Sequence, residues 1–185
     1  MAGLPAEDLL EHIELTQCEC LNQSSEHTLR HCLEQGARDQ PTLHLQSDCD
    51  EELLIRIAFR SPVRLAYLRI EAPPGTAPAS IRLFANKLGL DFDSAKSEAP
   101  TQELALGEAD VAAGAKPIEL RFVLFQMVSS LTLFVGANQS GGEETVIQRL
   151  QLLGAPIVHE GAKRSKEDQD RATKGDWLGS GTAGA

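Results

Sequence analysis

The chain has 185 residues, 42% of them hydrophobic and 24% charged, and carries a formal net charge of −10 at neutral pH. That length and composition suit one globular domain plus a tail, with apolar content enough for a self-sufficient core. The acidic balance argues against a phosphate backbone or an anionic lipid surface as partner, so neither nucleic acid nor membrane is expected.

The opening MAGLPAEDLLEHIEL has no basic region and no long apolar run, so it does not read as a signal peptide, and no stretch approaches the roughly 18 apolar residues of a membrane span. A cytoplasmic location, extending to the nucleus, is expected, with thiols kept reduced. In that compartment the N-x-S sequons at Asn22 and Asn138 carry no sugar. Leu9, Leu10 and Ile13, behind Pro5 and two acidic residues, predict a short N-terminal helix or turn. SSEHTLRHCLEQG predicts a second short helix, capped by Ser24 or Ser25, with Leu29 and Leu33 four apart and Gly36 as its stop.

From residue 42 the hydrophobic period becomes two. TLHLQS, ELLIRIAF, VRLAYLRI, SIRLFAN, TQELAL, ELRFVLF, SLTLFV and VIQRLQLLG read as strands. RSP, APPGTAPA, KLGLDFD, GAKP and NQSGGEE read as the turns between them. Strands with few helical runs between them exclude a βαβ architecture and predict an all-β sandwich or jelly roll with short N-terminal helical segments. Leu53, Ile55, Ile57, Leu83, Phe122, Leu131, Leu133 and Leu152 are the expected core, and the runs flanking Gly141 and Gly142 read as a hairpin. After Pro156 the sequence turns polar and then glycine-rich, so the expected domain is residues 1–159 and the expected flexible tail 160–185.

Three of the four cysteines lie in QCECLNQSSEHTLRHC, together with His27 and His31. A zinc site is one reading, since two histidines four apart on a helix share a face. The spacing Cys18-x-Cys20 departs from the paired ligands of zinc modules, though, and the two thiols are expected on opposite sides of the chain unless Glu19 turns sharply. A redox pair, Cys18 with Cys20, is the alternative function; acidic neighbours such as Glu19 and Asp48 raise a thiol pKa and oppose it. The favoured reading is four reduced thiols, Cys32 and Cys49 included, packing as small hydrophobes with no metal and no cofactor. SDCDEE gathers four carboxylates but lacks the glycine a calcium loop needs, which leaves an acidic recognition loop or a solvated strand entry. Asp91 and Asp93 have no positioned catalytic partner, and no nucleophile-elbow, phosphate-loop or zinc-protease motif is present. One Trp and one Tyr are too few aromatics for a typical sugar site. Trp177-Leu178, in an otherwise polar tail, reads either as an incidental exposed apolar pair, the favoured reading, or as a short docking motif.

CECLNQSSEH, LQSDCDEELLI, SEAPTQELAL and NQSGGEETVIQRLQLLGAP together resemble the PITH domain over residues 8–158. The resemblance implies a jelly-roll sandwich similar to galactose-binding domains, found as the C-terminal half of a thioredoxin-like protein and as a free-standing protein, that associates with the proteasome. The sequence has no C-x-x-C, so the reductase chemistry of the thioredoxin-like relative is not expected to carry over. The function expected is a monomeric, non-enzymatic protein-binding module. Its candidate contact residues are Asp48, Asp50, Glu51, Glu143 and Glu144, at strand ends, with Trp177 in the tail.

Overall fold

The computed structural model describes residues 6–158. Strands run over Glu7–Asp8 (β1), Glu19–Leu21 (β2), Leu45–Gln46 (β3), Leu53–Glu71 (β4), Pro78–Ala85 (β5), Gln102–Ala105 (β6), Ile118–Glu119 (β7), Val128–Asn138 (β8), Val146–Ile147 (β9) and Arg149–Pro156 (β10). Helices are short: Arg30–Leu33 (α1), Phe92–Ser97 (α2) and Glu108–Val111 (α3). The all-β class is as the sequence predicts.

The 19-residue β4 organises the molecule. ELLIRIAF and VRLAYLRI are one strand, because RSP makes a register irregularity between Ala58 and Val63 instead of a turn. The N-terminal half of β4 pairs antiparallel with β2 and β8, and β8 continues to β5 and β6. Its C-terminal half pairs with β10 and β7, and β10 continues to β1. One strand thus serves two sets of neighbours, the way a sandwich turns a corner. The apolar alternation obeys this split. Leu53, Ile55, Ile57, Val63 and Leu65 point inward at odd positions, and Leu68 and Ile70 at even ones. The phase changes at Ala66, where Tyr67 pairs with Leu153 but Leu65 pairs with Gly154. Ala66 is the extra residue of a bulge.

Ile57 is fully buried opposite Leu131. Ile57→Ala should therefore cost about 2–5 kcal/mol through lost burial and the cavity left behind. Urea denaturation checks this, and a change within about 0.5 kcal/mol, the usual range for a surface site, would show that Ile57 is not a core residue.

Even positions of the first set bury a second face. Leu54, Phe84 and Phe134 pack against Leu90, Ala95 and Phe92, so α2 roofs that layer. The sequence read KLGLDFD as a turn only. Asp91 in fact caps α2, accepting a hydrogen bond from the Ser94 N–H at 2.7 Å. Arg82 donates to the carbonyls of Ala95, Lys96 and Glu98, which close that helix's unsatisfied C-terminal end.

Four other expectations change. The runs flanking Gly141-Gly142 are no hairpin: β8 lies between β4 and β5, while β10 lies between β4 and β1. ELRFVLF gives only the two residues of β7 and then a 3-10 turn over Phe122–Leu124. Phe122 is only half-buried there, and Phe125 takes the interior position; the other seven predicted core residues are buried. The second helix shortens to α1 and is not capped by Ser24 or Ser25. The Gln23 side chain instead accepts from the Leu29 N–H at 2.8 Å, and Gly36 does adopt a positive φ beyond it. At the N-terminus, Leu9–His12 forms the expected turn as a 3-10 helix whose cap, Asp8, also receives Arg38 at 2.5 Å and Gln151 at 2.9 Å.

Candidate functional site

The two acidic loops, distant in sequence, meet at one end of the sandwich. The cause is the small ladder between β3 and β9, which sets Leu45 opposite Ile147 and Gln46 opposite Val146. Beyond it the polar groups close on each other. The Ser47 N–H donates to the Thr145 carbonyl and the Thr145 N–H to the Ser47 hydroxyl, both at 2.9 Å. The Thr145 hydroxyl donates to the Glu51 carbonyl at 2.7 Å, and Gln46 donates to the Glu144 carboxylate at 3.0 Å. Ser47 and Thr145 are buried, so these mutual bonds spare them an unsatisfied polar atom.

Each acidic loop is built around one asparagine side chain. Asn22, at φ 65°, donates to the Asp50 carbonyl and carboxylate and to the Glu52 carbonyl, and accepts from the Cys49 N–H at 3.0 Å. Asparagine is among the few side chains that tolerate that left-handed backbone. Buried Asn138 donates to the carbonyls of Gly142 and Glu144 at 2.8 Å each and accepts from the Gly142 N–H at 3.1 Å. Sequence reasoning passed over both asparagines as idle sequons. The signal available was the repeated word NQS, each time one β-turn's length or a sheet partner away from an acidic run.

Asp48, Asp50, Glu143 and Glu144 are exposed, and Glu51 is half-buried beneath them. Glu52 bridges to Lys96 of α2 at 2.9 Å. The hydrogen bond to Glu52, then the charges of Glu52, Asp93 and Asp50, push the Lys96 pKa up. The remaining carboxylates face solvent, and an acidic surface of this kind attracts cationic side chains through a field that salt screens. Trp177 lies outside the described residues.

The thiols separate into two environments. Cys20 and Cys32 are buried, and burial pushes both thiols up to about 12. Cys18 is half-buried, and burial raises its pKa too; its sulfur donates to the Glu14 carbonyl and accepts from the Ala58 N–H, each at 3.4 Å. Cys18 and Cys20 do not face opposite ways. Both pack toward the main core, because residues two apart on extended chain share a face. All four cysteines are free, and the pKa of each is raised, away from the thiolate that redox exchange requires; the Ala58 N–H on Cys18 opposes burial without reversing it. His27 and His31 do not share a helix face, since α1 begins only at Arg30. His27 stacks on His44 with ring centroids 4.0 Å apart, and His31 Nδ1 lies 3.1 Å from the His44 carbonyl. Among the described residues no group of three or more His, Cys, Asp or Glu side chains is arranged to hold a metal ion.

Cys49 is exposed, but the Asp48 charge beside it raises its pKa. Aromatic-disulfide titration of the folded chain at neutral pH should therefore show one accessible thiol, Cys49, reacting more slowly than free cysteine and faster as pH rises. Cys18 should follow it, and Cys20 and Cys32 should react only on unfolding. Fast reaction of two equivalents with loss of both Cys18 and Cys20 would instead identify a reactive pair.

Residues 2–170 match the PITH domain. The chain belongs to the PITH domain family. Thioredoxin-like protein 1 of Schizosaccharomyces pombe is 36% identical over 149 residues, which cover 78% of this chain and 50% of that protein. PITH domain-containing protein 1 of Xenopus laevis is 34% identical over 148 residues, covering 79% of this chain and 69% of its own length. The PITH chain thus spans about half of the yeast relative. Among solved structures, the family 32 carbohydrate-binding module of C. perfringens NanJ, in complex with galactose, superposes with a TM-score of 0.58 at 6% identity, covering 80% of this chain and 98% of that one. The F5/8 type C domain from Bacteroides fragilis gives 0.56 at 13% identity, covering 85% and 100%. At such identities the likeness concerns the fold, a galactose-binding-like jelly roll.

Proposed function

We propose that this PITH chain is a non-enzymatic interaction module of the cytoplasm and nucleus that associates with the proteasome through its acidic end. One observation carries the reading: two separate loops are held together by Ser47, Thr145, Asn22 and Asn138 so that Asp48, Asp50, Glu143 and Glu144 stand exposed on one surface. Backbone order of this kind fixes the carboxylates before any partner arrives, which lowers the entropic cost of binding. The proteasome as partner rests on the family resemblance, and the acidic end gives that association a physical form, a negative surface for a basic one.

The test is capture of purified intact proteasomes by the immobilised full chain across a salt series. Retention at low salt that weakens steeply as salt rises supports the reading. No retention at low salt removes the proteasome as partner, and retention indifferent to salt removes the acidic end as contact.

A further inference from the structure

A cavity of about 230 Å³ lies between β2 and α1. Its apolar lining is Leu15, Leu29 and Leu33, with the sulfurs of Cys18 and Cys20 beside them. Two charged residues border it, Glu19 and Arg30. Glu19 is already committed, since its carboxylate forms an ion pair with Arg56. Arg30 is exposed and has no ion-pair partner among the described residues. The cavity is therefore an apolar hollow with one uncompensated cation at its rim. We propose that it receives the C-terminal residue of a partner chain, with an aliphatic side chain against the three leucines and the free carboxylate on Arg30.

Three features favour this occupant. The volume falls below the roughly 300–1,000 Å³ usual for small-molecule sites, so it suits one side chain and not a cofactor. A guanidinium pairs with a carboxylate through two parallel N–H···O bonds, a geometry that an ammonium cannot reproduce. Among the described strands β2 pairs along one edge only, with β4, so the residues preceding the terminus can lie beside it as an extended strand. The Thr28 hydroxyl at the rim adds a neutral donor. The CECLN segment, whose thiols the sequence favours as plain packing groups over a redox or metal role, on this account supplies the wall of a recognition pocket: its thiols are held protonated by burial and serve as apolar surface. Its lining includes none of Asp48, Asp50, Glu143 and Glu144, although Gln23 bridges to Ser47, so its test needs no proteasome.

The test uses the isotope-labelled full chain and three probes: a short flexible peptide ending in leucine with a free carboxylate, the same peptide as its C-terminal amide, and N-acetyl-leucine. The free-acid peptide should shift the backbone resonances of residues 15–33 saturably, and the amide should bind roughly ten-fold or more weakly, the loss expected for one charge-assisted contact. Arg30→Gln should bring the acid down to the amide's affinity while the spectrum stays dispersed, and Arg30→Lys should restore only part. Absence of shifts at millimolar peptide, or equal binding of acid and amide, would overturn the proposal. So would N-acetyl-leucine binding as tightly as the peptide, which would make the cavity a site for small organic acids.

Discussion

Gly154→Ala should destabilise the PITH chain by about 3–5 kcal/mol, among the largest effects a single methyl can have. Gly154 sits in β10 between Glu7 of β1 and Leu65 of β4. A Cβ there would stand 1.9 Å from the Arg64 carbonyl oxygen and 2.9 Å from the carbonyl carbon. Both are backbone atoms of a paired strand and cannot rotate aside. The reason is close approach at the Ala66 bulge, since the backbone of Gly154 is not in the left-handed region. Gly142→Ala is the control, because its Cβ would meet only the Ser140 hydroxyl, at 3.2 Å, and that side chain can turn. Thermal unfolding should fall by roughly 10 °C for the first, at about 2–4 °C per kcal/mol for a domain of this size, and by little for the second. Equal shifts would mean that β10 and β4 do not pair around a bulge at Ala66.

That glycine illustrates what the sequence shows and what it hides. The period-two runs were legible because burial of one strand face leaves a mark at every second residue, as in Leu53, Ile55 and Ile57. Phase within a long strand was not. RSP looks like a turn, yet Arg60 and Ser61 are simply the exposed residues of β4 at its irregularity. Pairing order was hidden too. A glycine pair between two strands suggests a hairpin, but a jelly roll sends β8 and β10 to opposite edges of β4, and only long-range packing decides that. Phe122 failed for a related reason: in ELRFVLF the alternation continues into a 3-10 turn, so the ring that reaches the interior is Phe125.

The candidate site divides in the same way. Acidic runs are visible as composition, so Asp48, Asp50, Glu51, Glu143 and Glu144 could be named. Their convergence could not, because it depends on the two-residue ladder of β3 with β9, too short to leave a periodic trace. The groups that shape the loops are neutral amides and hydroxyls, Asn22, Asn138, Ser47 and Thr145, whose role is set entirely by which backbone atoms they meet. The cysteines show the converse. Their spacing invites chemistry, and burial of Cys20 and Cys32 withdraws it.

Reversing Asp48, Asp50, Glu143 and Glu144 to lysine should slow association with the proteasome on the order of 10–1,000-fold, the span that electrostatic steering covers. Each reversal moves the charge by two units, so four bring the formal net charge from −10 to −2. The change is confined to one end, and beyond a Debye length of about 8 Å the rest of the molecule contributes little. Two of the four also hold the loops: Asp50 accepts from Asn22 and from the Glu52 N–H, and Glu144 accepts from Gln46. Asp48→Lys with Glu143→Lys is therefore the cleaner pair. Among the described residues, the only side-chain hydrogen bond of these two is one from the Cys49 thiol to Asp48, so this variant should keep the wild-type melting temperature while already losing a good part of the rate. The wild-type rate should drop as salt rises, and the quadruple variant's should stay flat. A chain ending at Val158 completes the comparison. Undiminished binding by the folded quadruple variant would eliminate the acidic end as the contact, and loss of binding on truncation alone would move the contact to the segment that carries Trp177.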